Sequence, residues 1–404
     1  MAGTVEQKSR GAFFTPTAIT DYLAGWALRS GRDTVLEPSC GEAAFLSAAA
    51  RRIAELRETP AQEPQLFGVE IHAASATNAL ATLEAEGIHA SITIADFFEV
   101  EFDNQFDIIL GNPPFIRYQD FSGSARAKSA EAALSQGVRL SGLASSWAAF
   151  VVKASRHLKE DGRLGIVLPA ELLSVGYAAE VRRFLLRRFK HLKLIAFEER
   201  VFPGVLEDVV LLLAEGSGGC SHFELHQTKN AAHLTNMNPQ WNAYVPEGGS
   251  KWTPALVAKD AFDNYRHTTE QACEVLGDWG RTYLGAVTGN NKYFSLTELQ
   301  ALEYGLQLDD LTRISPPGSR HLRGLEFSDT SWRSLNKDEA ATYLFAPAST
   351  ISDRAKAYID LGIANGVDKS YKCRNRTPWW RVPLVESPDL FLTYMDHDRP
   401  RLIT

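Results

Sequence analysis

The chain has 404 residues, of which 45% are hydrophobic and 23% are charged. This is the composition of an ordinary folded protein, so a mainly disordered chain is excluded. The length predicts two domains, or at most three. The sequence contains no apolar run long enough to span a bilayer and no signal peptide at its start. We therefore expect a cytoplasmic protein with no membrane partner.

The number of cysteines and the distribution of charge bear on which ligands the chain can bind. The four cysteines stand singly in the sequence, so neither a metal site nor a disulfide framework is expected. The net charge is −7, but residues 311–404 contain 14 Lys and Arg against 11 Asp and Glu. That stretch carries +3 and the remainder −10. This distribution favours nucleic-acid contact through the C-terminal region only.

The first half of the chain alternates strand-like and helix-like segments. Strand-like runs occur at 34–36, 66–69, 92–94, 106–110, 164–168, 192–197 and 209–213. Helical spacing occurs at 19–27, 44–56, 73–86, 146–158 and 177–189. This alternation predicts an α/β domain with a parallel sheet covered by helices on both faces. No helix fits between the last two strands, so we expect an antiparallel pair at one edge of the sheet.

The pattern changes after Gly216. A Gly-Ser-Gly-Gly break is followed by a polar stretch over 227–250. We therefore predict one domain over residues 1–245 and another over 246–404. Signals in the second domain are short and irregular, which predicts a mixed α+β fold. The last residues, 399–404, read as the start of a strand, so we expect that domain to be cut short.

The strongest chemical signal follows the buried run 106–110, where the sequence reads Asn112, Pro113, Pro114 and Phe115. Ligands of open α/β sheets bind at the carboxyl ends of the strands. The prolines stiffen the backbone, so the Asn112 side-chain oxygen and the Pro113 carbonyl point in set directions. Two such acceptors suit the two N–H groups of an exocyclic amine, and Phe115 offers a face for base stacking.

Three other predicted strands also end in ligand-type residues. Glu37 to Gly41 form a turn that opens a helix, where glycine lets a ligand approach the backbone. Glu70 ends the second strand, where an acidic side chain suits a ribose diol. Asp96 and Phe97 end the third strand, where a carboxylate and a ring suit an adenine. Each signal is weak by itself, but four in sequence indicate one ligand site.

These motifs, in this order, resemble the gamma group of DNA adenine-N6 methyltransferases. The matching segments are residues 11–16, 37–41, 70–72, 96–98, 112–115, 168–170 and 201–204. The resemblance implies a Rossmann-like S-adenosylmethionine-dependent methyltransferase sheet followed by a target-recognition domain that binds double-stranded DNA. One departure is Ala43, which stands where the family often has a second glycine.

The resemblance also implies a role for each matching residue. Contacts to the methionine part of S-adenosylmethionine would come from Phe14, Thr15, Pro16, Glu37, Pro38, Ser39, Cys40 and Gly41. Glu70 would hold the ribose, with Ile71, Asp96 and Phe97 around the adenine ring. Asn112 and Pro113, in the Asn-Pro-Pro-Phe turn completed by Pro114, would bind the target amine. Phe115 and Phe202 would stack on the flipped base. Cys40 is interpreted as a small packing residue and not as a nucleophile.

Two segments of the C-terminal region stand out. Residues 288–294 form a turn-rich cluster like those near the start of recognition regions in this enzyme group. Residues 369–381 interleave five cations with aromatic rings, which suits phosphate contact with stacking or groove insertion. The DNA-binding candidates are Lys369, Lys372, Arg374, Arg376, Trp379, Trp380 and Arg381. The alternative interpretation is a solvated basic loop with two core tryptophans.

Several functions stay open at this point. We expect a modification enzyme of a restriction–modification or phage-defence system. Only about ten residues precede the first motif, so any nuclease would be a separate restriction endonuclease. An RNA or protein-glutamine methyltransferase shares the Asn-Pro-Pro turn. A cytosine-N4 enzyme usually has serine before the two prolines. A catalytically idle DNA-binding module would not need the cofactor motifs.

Overall fold

The computed structural model describes residues 15–57, 64–202, 207–348, 350–393 and 399–404. Residue packing divides the chain into two units, Met1–Cys273 and Glu274–Thr404. Segment 249–256 packs onto the first unit, since the Trp252 amide donates to the Leu173 carbonyl at 2.7 Å and its indole is fully buried. The domain boundary expected near 245 stays a prediction.

The first unit contains a nine-stranded sheet. Its strands are β1 Thr34–Glu37, β2 Gln65–Glu70, β3 Ser91–Ile94, β4 Phe106–Gly111, β5 Leu158–Pro169, β6 Phe189–Phe197, β7 Val209–Ser217, β8 Phe223–Thr228 and β9 Asn242–Tyr244. They lie in the order β3-β2-β1-β4-β5-β7-β6-β8-β9. The first five strands of this order are parallel, and β7 is antiparallel to both of its neighbours, β5 and β6.

Helices cover both faces of this sheet. The α-helices of the first unit are α1 Thr17–Ala27, α2 Ala44–Leu56, α3 Ala73–Ala85, α4 Gly123–Leu134, α5 Ser146–Arg156, α6 Glu171–Ser174, α7 Ala179–Arg188 and α8 Lys259–Ala272. Val35 and Ile108 belong to the core cluster that contains α1, α2 and α3, whereas Leu36 and Ile109 belong to the cluster that contains α5 and α7. Successive residues of a strand point to opposite faces, which is why the strands read as unbroken apolar runs.

The α/β fold with an antiparallel pair is confirmed, and the sheet extends further than the sequence indicates. Strands β6 and β7 pair as expected from the missing helix between them. Two more strands follow the Gly-Ser-Gly-Gly break: β8, most of which precedes the polar stretch, and β9, which lies within it. Only Phe223, Leu225 and Thr228 of β8 are buried, and β9 has three residues. Their apolar signal is therefore too weak to stand out.

The second unit is built from short elements. A three-stranded sheet has the order β10-β12-β11, and a two-stranded sheet lies nearer the C-terminus. These strands are β10 Ser295–Leu296, β11 Leu311–Arg313, β12 Tyr343–Phe345, β13 Phe391–Leu392 and β14 Leu402–Ile403. The α-helices are α9 Leu276–Trp279, α10 Asn291–Phe294, α11 Glu298–Glu303, α12 Asp329–Lys337, α13 Asp353–Ala364 and α14 Tyr371–Arg374.

Short 3-10 turns connect several of these elements. They span Gly176–Ala178, Ala231–Asn236, Thr253–Leu256, Leu308–Asp310 and Val367–Lys369. In the described parts of both units, we find no helix with the length and apolar character needed to cross a membrane.

Candidate active site

A cavity of about 520 Å³ lies at the carboxyl ends of β1, β2, β3 and β4. The strand order reverses between β1 and β4, and such a switch point is where open α/β sheets bind ligands. The structure therefore brings all four predicted strand ends together. The predicted residues that line the cavity are Thr15, Glu37, Pro38, Ser39, Cys40, Gly41, Glu70, Ile71, Asp96, Phe97, Asn112 and Pro114.

The turn after β1 has an unusual backbone. Gly41 and Ala43 both adopt positive φ, at 51° and 61°. A left-handed conformation costs a residue with a Cβ roughly 1–2 kcal/mol. Ala43 is fully buried and directly precedes α2. The position where the family often has a second glycine is thus one where glycine would relieve backbone strain.

Glu37 and Cys40 are enclosed within this turn. One Glu37 carboxyl oxygen accepts the backbone N–H of Leu46 at 3.1 Å, in the first turn of α2. Burial raises the pKa of Glu37 well above its ordinary value, although backbone N–H groups of Leu46 and Phe45 act in the other direction. Burial likewise raises the pKa of the Cys40 thiol. A buried thiol of raised pKa is a poor nucleophile.

Glu70 links the turn after β1 to the residues at the end of β2. Its carboxylate oxygens accept the backbone N–H of Gly41 at 2.9 Å and of His72 at 2.8 Å. The side chain is 7% exposed. Glu70 therefore fixes the turn after β1 to the end of β2, whatever else it contacts.

The loop after β3 lies between two helices. The Asp96 carboxylate accepts the Phe98 N–H at 3.0 Å and lies 3.7 Å from the Lys128 ammonium of α4. Phe97 is 3% exposed and stacks on Phe150 of α5, with ring centroids 5.3 Å apart and planes 17° apart. The Phe97 ring, which lines the cavity, is therefore held in place by packing.

Within the part of the chain that the structure describes, the Asn112 side-chain amide has one atom that is hydrogen-bonded and one that is not. Its Nδ2 donates to the Thr15 hydroxyl at 3.2 Å. Its Oδ1 is buried and has no hydrogen-bond partner among the described residues. The same is true of the Ser39 hydroxyl, which also lines the cavity. Buried polar atoms in native proteins nearly always have partners, so two such atoms indicate a place for a polar ligand.

Four other predicted residues, Pro16, Pro113, Phe115 and Phe202, are not among the residues that line the cavity. Pro16 precedes α1 and its carbonyl accepts the Ile19 N–H. Pro113 is buried. Phe115 is half-buried and packs against the cluster that contains Phe202, which is 3% exposed. Phe14, and residues 203–204 of the last matching segment, lie outside the described residues.

Other cavity residues carry no sequence signal. Helices α4 and α5, and the loop before α4, contribute Phe121, Ala125, Ser146 and Phe150. Among them only Ser146 and Phe150 follow a pattern, one helical turn apart on α5. That spacing is typical of any buried helix face, so sequence reasoning had no ground to select them.

The structure brings together the two C-terminal segments that stand out in the sequence. Trp379 packs on Tyr293 and Phe294, with ring centroids 5.8 and 6.2 Å apart. The Arg376 guanidinium donates to the Val287 carbonyl. A Cβ on Gly289, which has a φ of 83°, would come within 2.7 Å of the Lys372 Cβ.

The side chains of the basic segment 369–381 divide into a buried set and an exposed set. Trp380 is 8% exposed, and Trp379 packs against the same core cluster. Both indoles therefore lie where the alternative interpretation expects them, and Arg376 is half-buried. The exposed cations are Lys369, Lys372, Arg374 and Arg381.

Residues 1–217 match the sequence model of the family described as N-6 DNA Methylase. The chain belongs to this family. Residues 249–404 match a second model, described as Type II methyltransferase M.Eco57I, C-terminal domain. The protein is thus an adenine-N6 DNA methyltransferase of the type II restriction–modification kind, as the order of its motifs predicts. We refer to it below as the methylase.

Known proteins agree with this assignment. The methylase is 22% identical over 407 residues to Type II methyltransferase M.AccI of Acinetobacter calcoaceticus, covering 98% of this chain and 73% of that protein. It is 24% identical over 409 residues to Type II methyltransferase M.HindII of Haemophilus influenzae, covering 95% and 72%.

A solved structure shares the fold. It is a nuclease-deletion mutant of the Type ISP restriction-modification enzyme LlaGI in complex with a DNA substrate mimic. The likeness has a TM-score of 0.55 at 17% identity and covers 72% of this chain and 35% of that chain. The methylase spans about a third of the length of that chain. At 17% identity the likeness shows a shared fold only.

Proposed function

We propose that the methylase uses S-adenosylmethionine to methylate the N6 amine of an adenine extruded from double-stranded DNA, and that Asn112 holds that amine. The observation that carries the proposal is the Asn112 side chain. Its amide nitrogen is engaged by Thr15, and its buried oxygen has no partner among the described residues. An acceptor fixed in this way at a cavity wall suits an N–H donor of a ligand.

The cavity suits S-adenosylmethionine in size and chemistry. Its volume of about 520 Å³ is in the usual range for small-molecule sites. The Ser39 hydroxyl, at the turn after β1, offers a polar partner to the methionine end. Ile71 is 58% exposed and Asp96 also lines the cavity, so an apolar surface and an acceptor are available to an adenosyl group. When bound, this cofactor supplies a methyl group that is already electrophilic.

The protein's part in the reaction is alignment and amine activation. With one amine N–H bound by the Asn112 oxygen and the other by the Pro113 carbonyl, the amine lone pair would turn away from the ring and toward the methyl group. As the amine nitrogen bonded the methyl carbon, the carbon–sulfur bond of the cofactor would break and S-adenosylhomocysteine would leave. One amine proton would pass to water, and no nucleophilic side chain is needed. Holding two reactants in line accounts for much of the rate gain in such transfers.

The target adenine must leave the duplex to reach this cavity. The proposed stacking rings are those of Phe202, which belongs to a hydrophobic core cluster, and Phe115, which packs against that cluster. Phosphate contacts are proposed for the exposed cations Lys369, Lys372, Arg374 and Arg381. A separate restriction endonuclease that cuts the same unmethylated sequence is the proposed functional partner.

The test is methyl transfer from tritium-labelled S-adenosylmethionine to unmethylated genomic DNA, followed by nucleoside analysis. We expect label in N6-methyladenine, and a loss of about 100- to 1000-fold in kcat for Asn112→Ala, because a fixed polar contact at the reacting group is removed. Asn78→Ala, on the exposed face of α3, is the matched control. Label confined to RNA or protein, or an Asn112→Ala variant as active as the control, would overturn the proposal.

A further inference from the structure

One face of helix α5 contacts two loops of the site. Ser146, Phe150 and Lys153 are spaced by four and three residues, so their side chains lie along the same face of the helix. Ser146 and Phe150 line the cavity. Lys153 lies beneath the loop after β3, and all three side chains are buried.

Ser146 holds the turn that carries Asn112. Its hydroxyl donates to the Pro114 carbonyl and accepts the Ile116 N–H at 2.9 Å. The Ser146 amide also donates to the Ile116 carbonyl at 3.0 Å. These contacts fix the backbone on both sides of Phe115. The target-amine turn is therefore fastened to the first turn of α5.

Lys153 holds the loop that carries Asp96 and Phe97. Its ammonium donates to the Phe98 carbonyl at 2.9 Å and to the Glu101 carboxylate at 3.3 Å. It also lies 5.6 Å from the centre of the Phe97 ring. A lysine that is only 3% exposed is costly unless it is paired, so these contacts fix its position and with it the loop.

We infer that α5 is a common positioning element, in which Ser146 sets the target-amine turn and Lys153 sets the cofactor-adenine loop. Neither residue touches a reacting atom in this assignment. The rigid helix between them keeps the two parts of the site in register. The inference rests on the proposed function and adds two positioning residues to it.

The two residues should give opposite kinetic signatures. Lys153→Met should raise the Kd for S-adenosylhomocysteine about tenfold, as expected for the loss of one charge-assisted hydrogen bond. The Kd for adenosine should rise by the same factor, while kcat at saturating cofactor changes by less than about twofold. Ser146→Ala should lower kcat about tenfold through misplacement of the amine. Its Kd for S-adenosylhomocysteine should stay within about twofold.

Two residues of the same helix are matched controls. Arg156 shares the Glu101 carboxylate with Lys153, at 3.2 Å, without bonding Phe98, so Arg156→Met should leave adenosine affinity unchanged. Ser155 is fully buried, and its hydroxyl bonds only the Val151 carbonyl of its own helix among the described residues. Ser155→Ala should therefore leave both kcat and Kd unchanged.

The outcomes separate this inference from the proposed function. If the wild-type protein binds no S-adenosylhomocysteine and labels no DNA, the proposed function falls. If it does both, and Lys153→Met and Ser146→Ala change kcat and Kd together or match their controls, α5 is packing only and the inference falls. Should Lys153→Met fail to fold by thermal melting, Lys153→Arg takes its place. A threefold or greater loss of adenosine affinity supports the inference, and an unchanged affinity overturns it.

Discussion

The two units of the methylase differ in how their polar side chains are positioned. In the first unit, Glu70 ends a buried strand and Asn112 directly follows one, so the sheet fixes where they lie. In the second unit, strands have two or three residues and the basic segment 369–381 runs over the surface of a small aromatic core. Residue type predicts the location of a side chain well in the first case and poorly in the second, because only the first has a buried strand to set direction.

Trp379 tests this difference most strongly. Trp379→Ala should lower the free energy of unfolding of the second unit by about 3–5 kcal/mol, as for other large core residues. Tyr371→Ala, at a ring that is 66% exposed, should change it by less than about 0.5 kcal/mol. Calorimetry of the full chain measures both. If Trp379→Ala melts like Tyr371→Ala yet binds DNA weakly, the indole is a DNA contact and the comparison fails.

A substitution of Glu70 tests whether a side chain at a strand end fixes the neighbouring turn in the first unit. A glutamine has one acceptor oxygen, so Glu70→Gln turns an NH₂ group toward either the Gly41 or the His72 amide. We expect a loss of about 2 kcal/mol, or roughly 30-fold, in affinity for S-adenosylhomocysteine by titration calorimetry. Glu84→Gln, at an exposed position of α3, is the control. Equal affinities of the two variants would mean that the turn after β1 holds its shape without Glu70.

The smallest expected effect concerns the exposed cations. Lys372→Ala and Arg374→Ala should each weaken duplex DNA binding about fivefold and reduce the salt slope by about one, as for a lost phosphate contact. The melting temperature should not change. Lys356→Ala, exposed on α13, provides the comparison in anisotropy titrations at several salt concentrations. A salt slope that equals that of Lys356→Ala would remove these two residues from the DNA surface.

The catalytic sheet could be predicted because its signals are local. Four of the seven apolar runs are followed within two residues by a ligand-type residue, and a parallel sheet brings such ends to one edge. The cavity around Glu37, Glu70, Asp96 and Asn112 follows from that rule. The sequence also indicates the antiparallel pairing of β6 and β7, through the missing helix between them.

Other parts of the site depend on contacts between distant residues. Ser146 and Lys153 act through backbone atoms of loops some 30 and 55 residues away, and backbone partners leave no trace in the sequence. Trp379 of the basic segment packs on residues about 85 positions earlier in the chain. Composition therefore shows that the segment is basic and aromatic, but not which of its side chains face outward.

The insertion of β7 between β5 and β6 has a consequence for synthesis of the chain. Strand β6 leaves the ribosome before β7, yet it reaches the parallel half of the sheet only through β7. A nascent chain that has not yet released Val209–Ser217 therefore exposes an unpaired edge of β5. Such edges pair readily with other chains. Fragments or translational arrests ending before β7 should thus aggregate, whereas a chain that includes β7 can close the gap by itself.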